Sequence, residues 1–212
     1  MYFLRKNDDF PAVEEASEIG LLAVGGDLSA ERLIKAYSHG IFPWFDNSQP
    51  ILWWSPDPRM VLFPEKLKIS KSMKQVLKKD VFSVTYNEAF EEVVESCALA
   101  KRDGQDGTWI TDEMQEAYLK LHKLGLAKSV EVWQDGKLVG GLYGIYLRNK
   151  KIFCGESMFT TVSNASKFGF IKFVQKLREQ GVNLIDCQVY TDHLASLGAE
   201  EISRQEFLKY LR

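Results

Sequence analysis

The chain has 212 residues, of which 45% are hydrophobic and 26% charged, and its formal net charge at pH 7 is −2. This composition is ordinary for a soluble globular protein and argues against a general nucleic-acid binder. No run of 18 apolar residues predicts a membrane-spanning helix, and the first residues do not resemble a signal peptide. The three cysteines and three histidines are not at metal-ligand spacing, so we expect no metal site and a reducing, cytoplasmic environment.

Residues 1–64 are rich in turns and aromatics and are predicted to form a small N-terminal domain. One helix is clear, with Ser29 as its N-cap and Gly40 at its end. Three of the five tryptophans follow in a proline-containing stretch, and these are Trp44, Trp53 and Trp54. Because prolines disfavour a long helix or central strand there, these indoles either pack under a loop or offer flat faces to a ligand such as a nucleobase.

A group of lysines lies between Glu65 and Asp80, around a helix predicted to begin at Ser70. A local lysine stripe can bind phosphates even on a slightly acidic protein. The alternative is an ordinary solvated helix face. The lysines are Lys66, Lys68, Lys71, Lys74, Lys78 and Lys79.

From about residue 80 onward the pattern predicts the order β-α-α-β-β-β-α-β-α, and we assign residues 65–212 to a larger domain. The first part contains a strand at 81–85, a helix capped by Asn87, a loop at 103–107 and a helix capped by Thr111. Alternation on either side of Asp135 and Gly136 predicts a hairpin.

The last part contains a strand from Ile152 that leaves the sheet after Glu156, a helix at 164–180, a strand at 182–189 and a helix capped by Ser203. Because a helix connects the strands at 152 and 182, they are expected to be parallel. Gly140 and Gly141 would let a ligand or another backbone come close to their strand, or mark a bulge.

Polar side chains cluster at the expected carboxyl ends of the two parallel strands, where ligands gather in open α/β sheets. If Asp186 faces a cleft, strand alternation makes Gln188 face it too, while Cys187 points away. A carboxylate and an amide can together hold or deprotonate an attacking amine, and Glu156 could hold a cationic group. The alternative is a structural hydrogen-bond pair at a strand end.

Ten segments, in order along residues 20–210, form a recognisable set. Together they resemble the leucyl/phenylalanyl-tRNA–protein transferases. The segments are Gly20–Ser29, Gly40–Phe45, Ile51–Arg59, Gly107–Thr111, Ser129–Trp133, Gly140–Gly144, Gly155–Phe159, Asn164–Lys167, Leu184–Gln188 and Ala195–Ala199.

The resemblance implies an α+β protein in which a small N-terminal domain precedes a GCN5-related acyltransferase-like domain, with a mixed sheet flanked by helices. It implies a cytoplasmic enzyme that moves leucine, phenylalanine or sometimes methionine from aminoacyl-tRNA to proteins with N-terminal Arg or Lys, marking them for degradation. An aminoacyl ester is already activated, so no cofactor, ATP or metal is expected.

The resemblance also implies residue roles. Asp186 and Gln188 would assist the attack, Glu156 would recognise the acceptor's N-terminus, and Trp44 and Trp109 would sandwich the tRNA's terminal adenine. Lys71, Lys74, Lys78 and Lys79 would contact tRNA phosphates. The candidates for the pocket that holds the transferred side chain are Leu142, Phe153, Met158, Phe173 and Ile185.

Two rival functions remain at this point. The first is an acetyl-coenzyme A-dependent N-acetyltransferase on the same fold, which would need a run of backbone amides for the pyrophosphate. The segment from Phe159 to Ala165 contains no glycine, which counts against it. The second is a non-catalytic RNA- or peptide-binding module, in which Asp186 would have no catalytic task.

Overall fold

The computed structural model describes residues 2–79, 81–100 and 108–212. The smaller of its two sheets belongs to the N-terminal segment and has the strand order β1-β2-β4-β3. Its strands are β1 (Tyr2–Leu4), β2 (Leu21–Gly25), β3 (Phe42–Pro43) and β4 (Leu52–Trp54). Helix α1 (Ala30–Ser38) begins after Ser29, whose hydroxyl accepts a hydrogen bond from the backbone N–H of Arg32, as the N-cap prediction requires.

The larger sheet has the strand order β11-β5-β10-β9-β8-β7-β6. Strands β9 and β10 pair in parallel, and the other neighbours pair antiparallel, so the sheet is mixed. Its strands are β5 (Arg59–Leu62), β6 (Ser83–Tyr86), β7 (Ala127–Gln134), β8 (Lys137–Leu147), β9 (Ile152–Thr160), β10 (Leu184–Gln188) and β11 (Glu200–Ile202). The predicted α+β class with a mixed sheet is confirmed. Strand β5 belongs to the large sheet although its residues lie within 1–64.

The described residues contain six further α-helices. Ser70, Thr111 and Ser203 cap α2, α4 and α7 through their side-chain oxygens, as predicted. Asn87 does not cap α3, because it adopts a left-handed backbone with φ 62° and its side chain accepts from Ser129 N–H. The helices are α2 (Lys71–Lys78), α3 (Phe90–Leu99), α4 (Asp112–Lys123), α5 (Ala165–Glu179), α6 (Asp192–Ser196) and α7 (Arg204–Tyr210).

Two apolar clusters cover opposite faces of the large sheet. Neighbouring residues of β8, Leu142 and Tyr143, belong to different clusters, as strand alternation requires. One cluster packs the sheet against α5, and the other packs it against α3 and α4. Gly140 allows the start of α5 to approach β8, since a Cβ at this position would lie 2.9 Å from the Cβ of Ala165.

Strand β9 is longer than the sequence indicated. The chain does not leave the sheet after Glu156, because β9 continues along β8 as far as Thr160. The predicted loop at 103–107 lies outside the described residues. Among the described helices, none combines the length and the apolar character needed to cross a membrane.

A candidate active site between two parting strands

A cavity opens where the parallel strands β9 and β10 separate. Their pairing ends at Cys154 and Asp186, after which β9 stays with β8 and β10 stops at Gln188. The cavity has a volume of about 450 Å³, and residues that follow this last pair on both strands contribute to its lining. Parting strands expose backbone and side chains that a continuous sheet would cover, which is why the site forms here.

The apolar part of the cavity contains most of the predicted pocket residues. Leu142, Phe153, Met158 and Ile185 all line it, and they come from β8, β9 and β10. Phe173 is not among the lining residues. It packs edge-on behind Phe153, with ring centroids 4.7 Å apart, and Phe170 lines the cavity instead. Both phenylalanines are on the buried side of α5, so helical spacing alone does not tell which one reaches the cavity.

Glu156 owes its position to a β-bulge. Tyr143 pairs with Ser157 and Gly144 pairs with Gly155, which leaves Glu156 as the extra residue of β9. A bulge re-aims the local side chain, and here the Glu156 carboxylate lines the cavity while only 9% exposed. The sequence places Glu156 near the site but does not reveal the bulge.

The Glu156 carboxylate lies within a hydrogen-bond chain, with two tyrosine hydroxyl groups on one side and the Gln188 amide on the other. The Tyr118 hydroxyl donates to Glu156 Oε2 at 2.7 Å, and Gln188 Nε2 donates to Oε1 at 3.0 Å. The Tyr37 hydroxyl lies 2.5 Å from the Tyr118 hydroxyl. The carboxylate is therefore held from two directions, and both its oxygens have partners.

The environment of Glu156 shifts its protonation toward neutral pH. Burial raises the pKa of this carboxyl to about 7, and the nearby charge of Asp186 acts in the same direction, whereas hydrogen bonds from Tyr118, Tyr37 and Gln188 oppose the rise. Burial also raises the pKa of both tyrosines well above the usual value. The tyrosines thus stay neutral donors, while Glu156 can exist in both forms near pH 7.

The prediction that Asp186 and Gln188 face the cleft together, with Cys187 pointing away, is wrong. The register of β10 against β5 shifts between these two residues, and Gln188 adopts a left-handed backbone with φ 65°. As a result Cys187 and Gln188 line the cavity, whereas Asp186 is 1% exposed and does not. Burial followed by the charge of Asp186 raises the pKa of the Cys187 thiol, which disfavours the thiolate that a nucleophile needs.

Asp186 is instead part of a buried ion pair. Arg59 donates from Nε to Oδ1 and from Nη2 to Oδ2, both at 2.7 Å, and the Arg59 side chain is also 1% exposed. The backbone N–H of Gln188 donates to Asp186 Oδ1 at 3.0 Å. Asp186 therefore holds Gln188 from behind the cavity wall.

The hydrogen bonds that Arg59, Tyr37 and Tyr118 make at the site are not evident from the sequence. Arg59 closes a segment that carries the family resemblance, but nothing in the segment indicates its partner. Both tyrosines occur at apolar positions of their helices, and their rings do lie in the core. Only their hydroxyl groups reach toward the site, and helical periodicity does not report the direction of a hydroxyl group.

The tryptophans divide between cavity and core. Trp44 and Trp109 both line the cavity, and Trp44 is 36% exposed. Trp54 contacts Trp44, with ring centroids 5.8 Å apart and its indole N–H donating to the Trp44 carbonyl. Trp53 is fully buried and donates to the Gly25 carbonyl at 2.8 Å, so its role is structural.

The predicted phosphate-contacting lysines lie on the surface. Lys71, Lys74 and Lys78 belong to α2, Lys79 follows it, and all four are exposed. None lines the cavity, and none pairs with an acidic side chain in the described part of the chain. Among the described residues, His, Cys, Asp and Glu side chains form no group of three or more that could hold a metal ion.

The site places an apolar wall beside a held carboxylate and amide, an arrangement that suits an enzyme bringing an apolar group next to a cationic one. The protein-family model for leucyl/phenylalanyl-tRNA protein transferase matches residues 61–212 of the chain. The family model for the N-terminal domain of the same transferase matches residues 26–57. The chain therefore belongs to the leucyl/phenylalanyl-tRNA–protein transferase family and is an aminoacyltransferase. This sets aside the acetyltransferase and the non-catalytic module.

Two curated members of this family align with the chain over its whole length. The chain is 65% identical to a leucyl/phenylalanyl-tRNA–protein transferase of Christiangramia forsetii, covering 100% of both chains. It is 59% identical to that of Flavobacterium johnsoniae, covering 100% of this chain and 99% of the relative. Among solved structures it is similar to a GCN5-related N-acetyltransferase from Kribbella flavida, with 12% identity and a TM-score of 0.41 over 80% of this chain and 60% of that chain.

Proposed function

We propose that the protein transfers leucine, phenylalanine and, less readily, methionine from aminoacyl-tRNA to proteins that begin with Arg or Lys. In this proposal the product is marked for degradation by the N-end rule pathway in the cytoplasm. The observation that carries it is one cavity in which an apolar wall adjoins the buried Glu156–Gln188 pair, with Trp44 and Trp109 on the same lining.

The donor would occupy the apolar and aromatic parts of the cavity. Trp44 and Trp109 would stack on the terminal adenine of the tRNA, at about 1–3 kcal/mol per base. The transferred side chain would lie against the wall formed by Leu142, Phe153, Met158 and Ile185. Each methylene that such a wall accepts or rejects changes the binding free energy by about 1–3 kcal/mol, and a narrow slot excludes β-branched side chains by shape.

The acceptor would bring its positive N-terminus to Glu156. A cation beside a carboxyl group lowers its pKa, so an approaching ammonium group would favour the ionised form of Glu156. The α-amine has a reference pKa of about 7.7–8.0, so its neutral, nucleophilic form is available close to neutral pH. Gln188 would orient this amine through its side-chain amide.

In the reaction itself, the amine nitrogen forms a bond to the ester carbonyl carbon and the bond to the ribose oxygen breaks. The proton released by the amine ends on that ribose oxygen. Asp186 could act as a base through Gln188, or it could only orient the site while the tRNA's own 2′-hydroxyl passes the proton. Because Arg59 engages both carboxylate oxygens, the geometry supports the orienting role.

The test is transfer of labelled phenylalanine from its tRNA to a peptide that begins with Arg, compared with one that begins with Ala. We expect Glu156→Gln to reduce kcat/KM for the Arg peptide about 10- to 100-fold, because a charge-assisted hydrogen bond contributes about 1.5–3 kcal/mol. Glu131→Gln is the matched control, since Glu131 is fully buried and held by Thr85 and Ser129 but does not line the cavity. Equal use of both peptides by the wild type would contradict the proposal.

A further inference from the structure

We propose that Arg59 is a positioning residue for the transfer reaction, because it fixes the backbone of Gln188 through Asp186. The inference rests on the proposed function of the Glu156–Gln188 pair. Its physical basis is a continuous set of hydrogen bonds from Arg59 to Asp186, from Asp186 to the Gln188 backbone, and from the Gln188 side chain to Glu156.

Two aromatic rings and a backbone carbonyl contact the Arg59 guanidinium. Its centre lies 4.7 Å from the ring of Phe42 and 4.7 Å from the ring of Phe207. Its Nη1 donates to the carbonyl of Gly40 at 3.2 Å. These contacts fix the orientation of the planar guanidinium, and its Nε and Nη2 donors face Asp186.

Stability alone does not account for this arrangement. A fully buried ion pair loses the hydration of both charges, and replacing such a pair by apolar residues of similar volume often leaves stability unchanged or raises it. Such an apolar pair would leave the Gly40 carbonyl without the donor that Arg59 supplies. It would not provide an acceptor for the Gln188 N–H, and this is the property that the ion pair adds to the site.

Gln188 needs that acceptor because its backbone conformation is unfavourable. A residue other than glycine at φ 65° is strained unless its surroundings hold it. The bond from Gln188 N–H to Asp186 Oδ1 holds it, and the same conformation directs the amide toward Glu156. Without the bond we expect Gln188 to relax toward an extended backbone, which moves its amide away from the acceptor site.

The experiment compares Arg59→Lys with Arg32→Lys at a temperature where circular dichroism shows each variant folded. Arg32 is a matched control because it is also buried, at 8% exposure, and donates to three backbone carbonyls in the N-terminal segment. We expect Arg59→Lys to reduce kcat/KM for an Arg-starting peptide about 10- to 100-fold, since small displacements of positioning groups have effects of this size. Lysine keeps the charge but cannot hold both carboxylate oxygens.

The KM for aminoacyl-tRNA is the second readout. We expect Arg59→Lys to leave it within about threefold of the wild type, because the side-chain hydrogen bonds of Arg59 go to Asp186 and to the Gly40 carbonyl, and not to Trp44 or Trp109. Arg32→Lys should change neither constant. Identical kinetics of the Arg59→Lys variant and the wild type would overturn the inference, and so would equal losses in both arginine variants.

Asp186 variants keep the test decisive if Arg59→Lys does not fold. Asp186→Asn retains an oxygen that can accept from the Gln188 N–H, whereas Asp186→Leu does not. The inference requires higher kcat/KM for Asp186→Asn than for Asp186→Leu, and equal values would overturn it. A wild type that does not transfer phenylalanine to the Arg peptide would contradict the proposed function as well, whereas normal wild-type transfer with unaffected variants contradicts the inference alone.

Discussion

Single residues decide which groups the cavity presents. One extra residue in β9 brings Glu156 into the cavity, and one register shift in β10 brings in Gln188 while excluding Asp186. The side-chain period of a strand is two, so a shift of one residue exchanges its faces. The chemistry of the site thus depends on two local irregularities of otherwise regular strands.

Trp44 is positioned to contact a ligand in the cavity. Its indole lines the cavity, contacts the Trp54 ring and is 36% exposed, so part of it is available to a ligand. We expect Trp44→Ala to raise the KM for aminoacyl-tRNA about 5- to 150-fold, corresponding to about 1–3 kcal/mol of lost stacking. Phe3→Ala is the control, since Phe3 is 76% exposed and outside the cavity lining. An unchanged KM would show that Trp44 serves packing only.

At the scale of elements, the unit β9-α5-β10 was predictable. The connecting helix indicated parallel strands, and β9 and β10 do pair in parallel. Helix α2 is similar, with its cap at Ser70 and Met73 on its buried side. The remaining surface of α2 carries exposed lysines, whose ammonium groups are accessible to the phosphates of a bound nucleic acid.

The prediction for α2 is a change in salt dependence. Replacing Lys74 and Lys78 by Gln should reduce the slope of log Kd for tRNA against log salt concentration by roughly 1.4–1.8, because each lost phosphate contact contributes about 0.7–0.9. Lys120 and Lys123 on α4 are the control pair, since they are also exposed and their replacement removes the same charge. The same slope in both double variants and the wild type would place the tRNA backbone elsewhere.

At the scale of the whole molecule, the N-terminal segment completes the site of the large sheet. Tyr37 on α1 contacts Tyr118, and the carbonyl of Gly40 receives a hydrogen bond from Arg59. Phe42 and Trp44 from the same segment lie at the ion pair and in the cavity lining. The residues around Glu156 therefore depend on contacts between segments that are far apart in the sequence.

The burial of the Glu156 carboxyl group predicts how the stability of the fold varies with pH. Burial raises the pKa of Glu156 from the ordinary value of 4.5 to about 7, so the folded state binds more protons than the unfolded state between these values. The resulting stabilisation is complete below about pH 4.5 and is lost as pH rises through about 7. Relative to Glu156→Gln, we expect the wild type to lose roughly 2–3 kcal/mol of unfolding free energy between about pH 5 and about pH 8.

Chemical denaturation at each pH measures this difference. Groups other than Glu156 that titrate equally in both proteins cancel in the comparison. Parallel pH curves for the wild type and Glu156→Gln would show that the carboxyl group is not shifted upward in the folded protein.

The family, the α+β class, the parallel β9-α5-β10 unit and the region of the site could all be predicted from the order of the amino acids. So could the helix caps at Ser29, Ser70, Thr111 and Ser203. These features depend on local hydrogen bonds, on periodicity and on contiguous motifs, which are all present in the linear order of residues.

Three features of the site are visible only in the folded chain. Asp186 pairs with Arg59, Phe170 rather than Phe173 lines the cavity, and Tyr37 connects to Glu156 through Tyr118. Each of these depends on a register shift or on a contact between distant segments. Alternation and helical spacing assume regular elements, so they do not specify where a strand bulges or which distant side chain lies opposite.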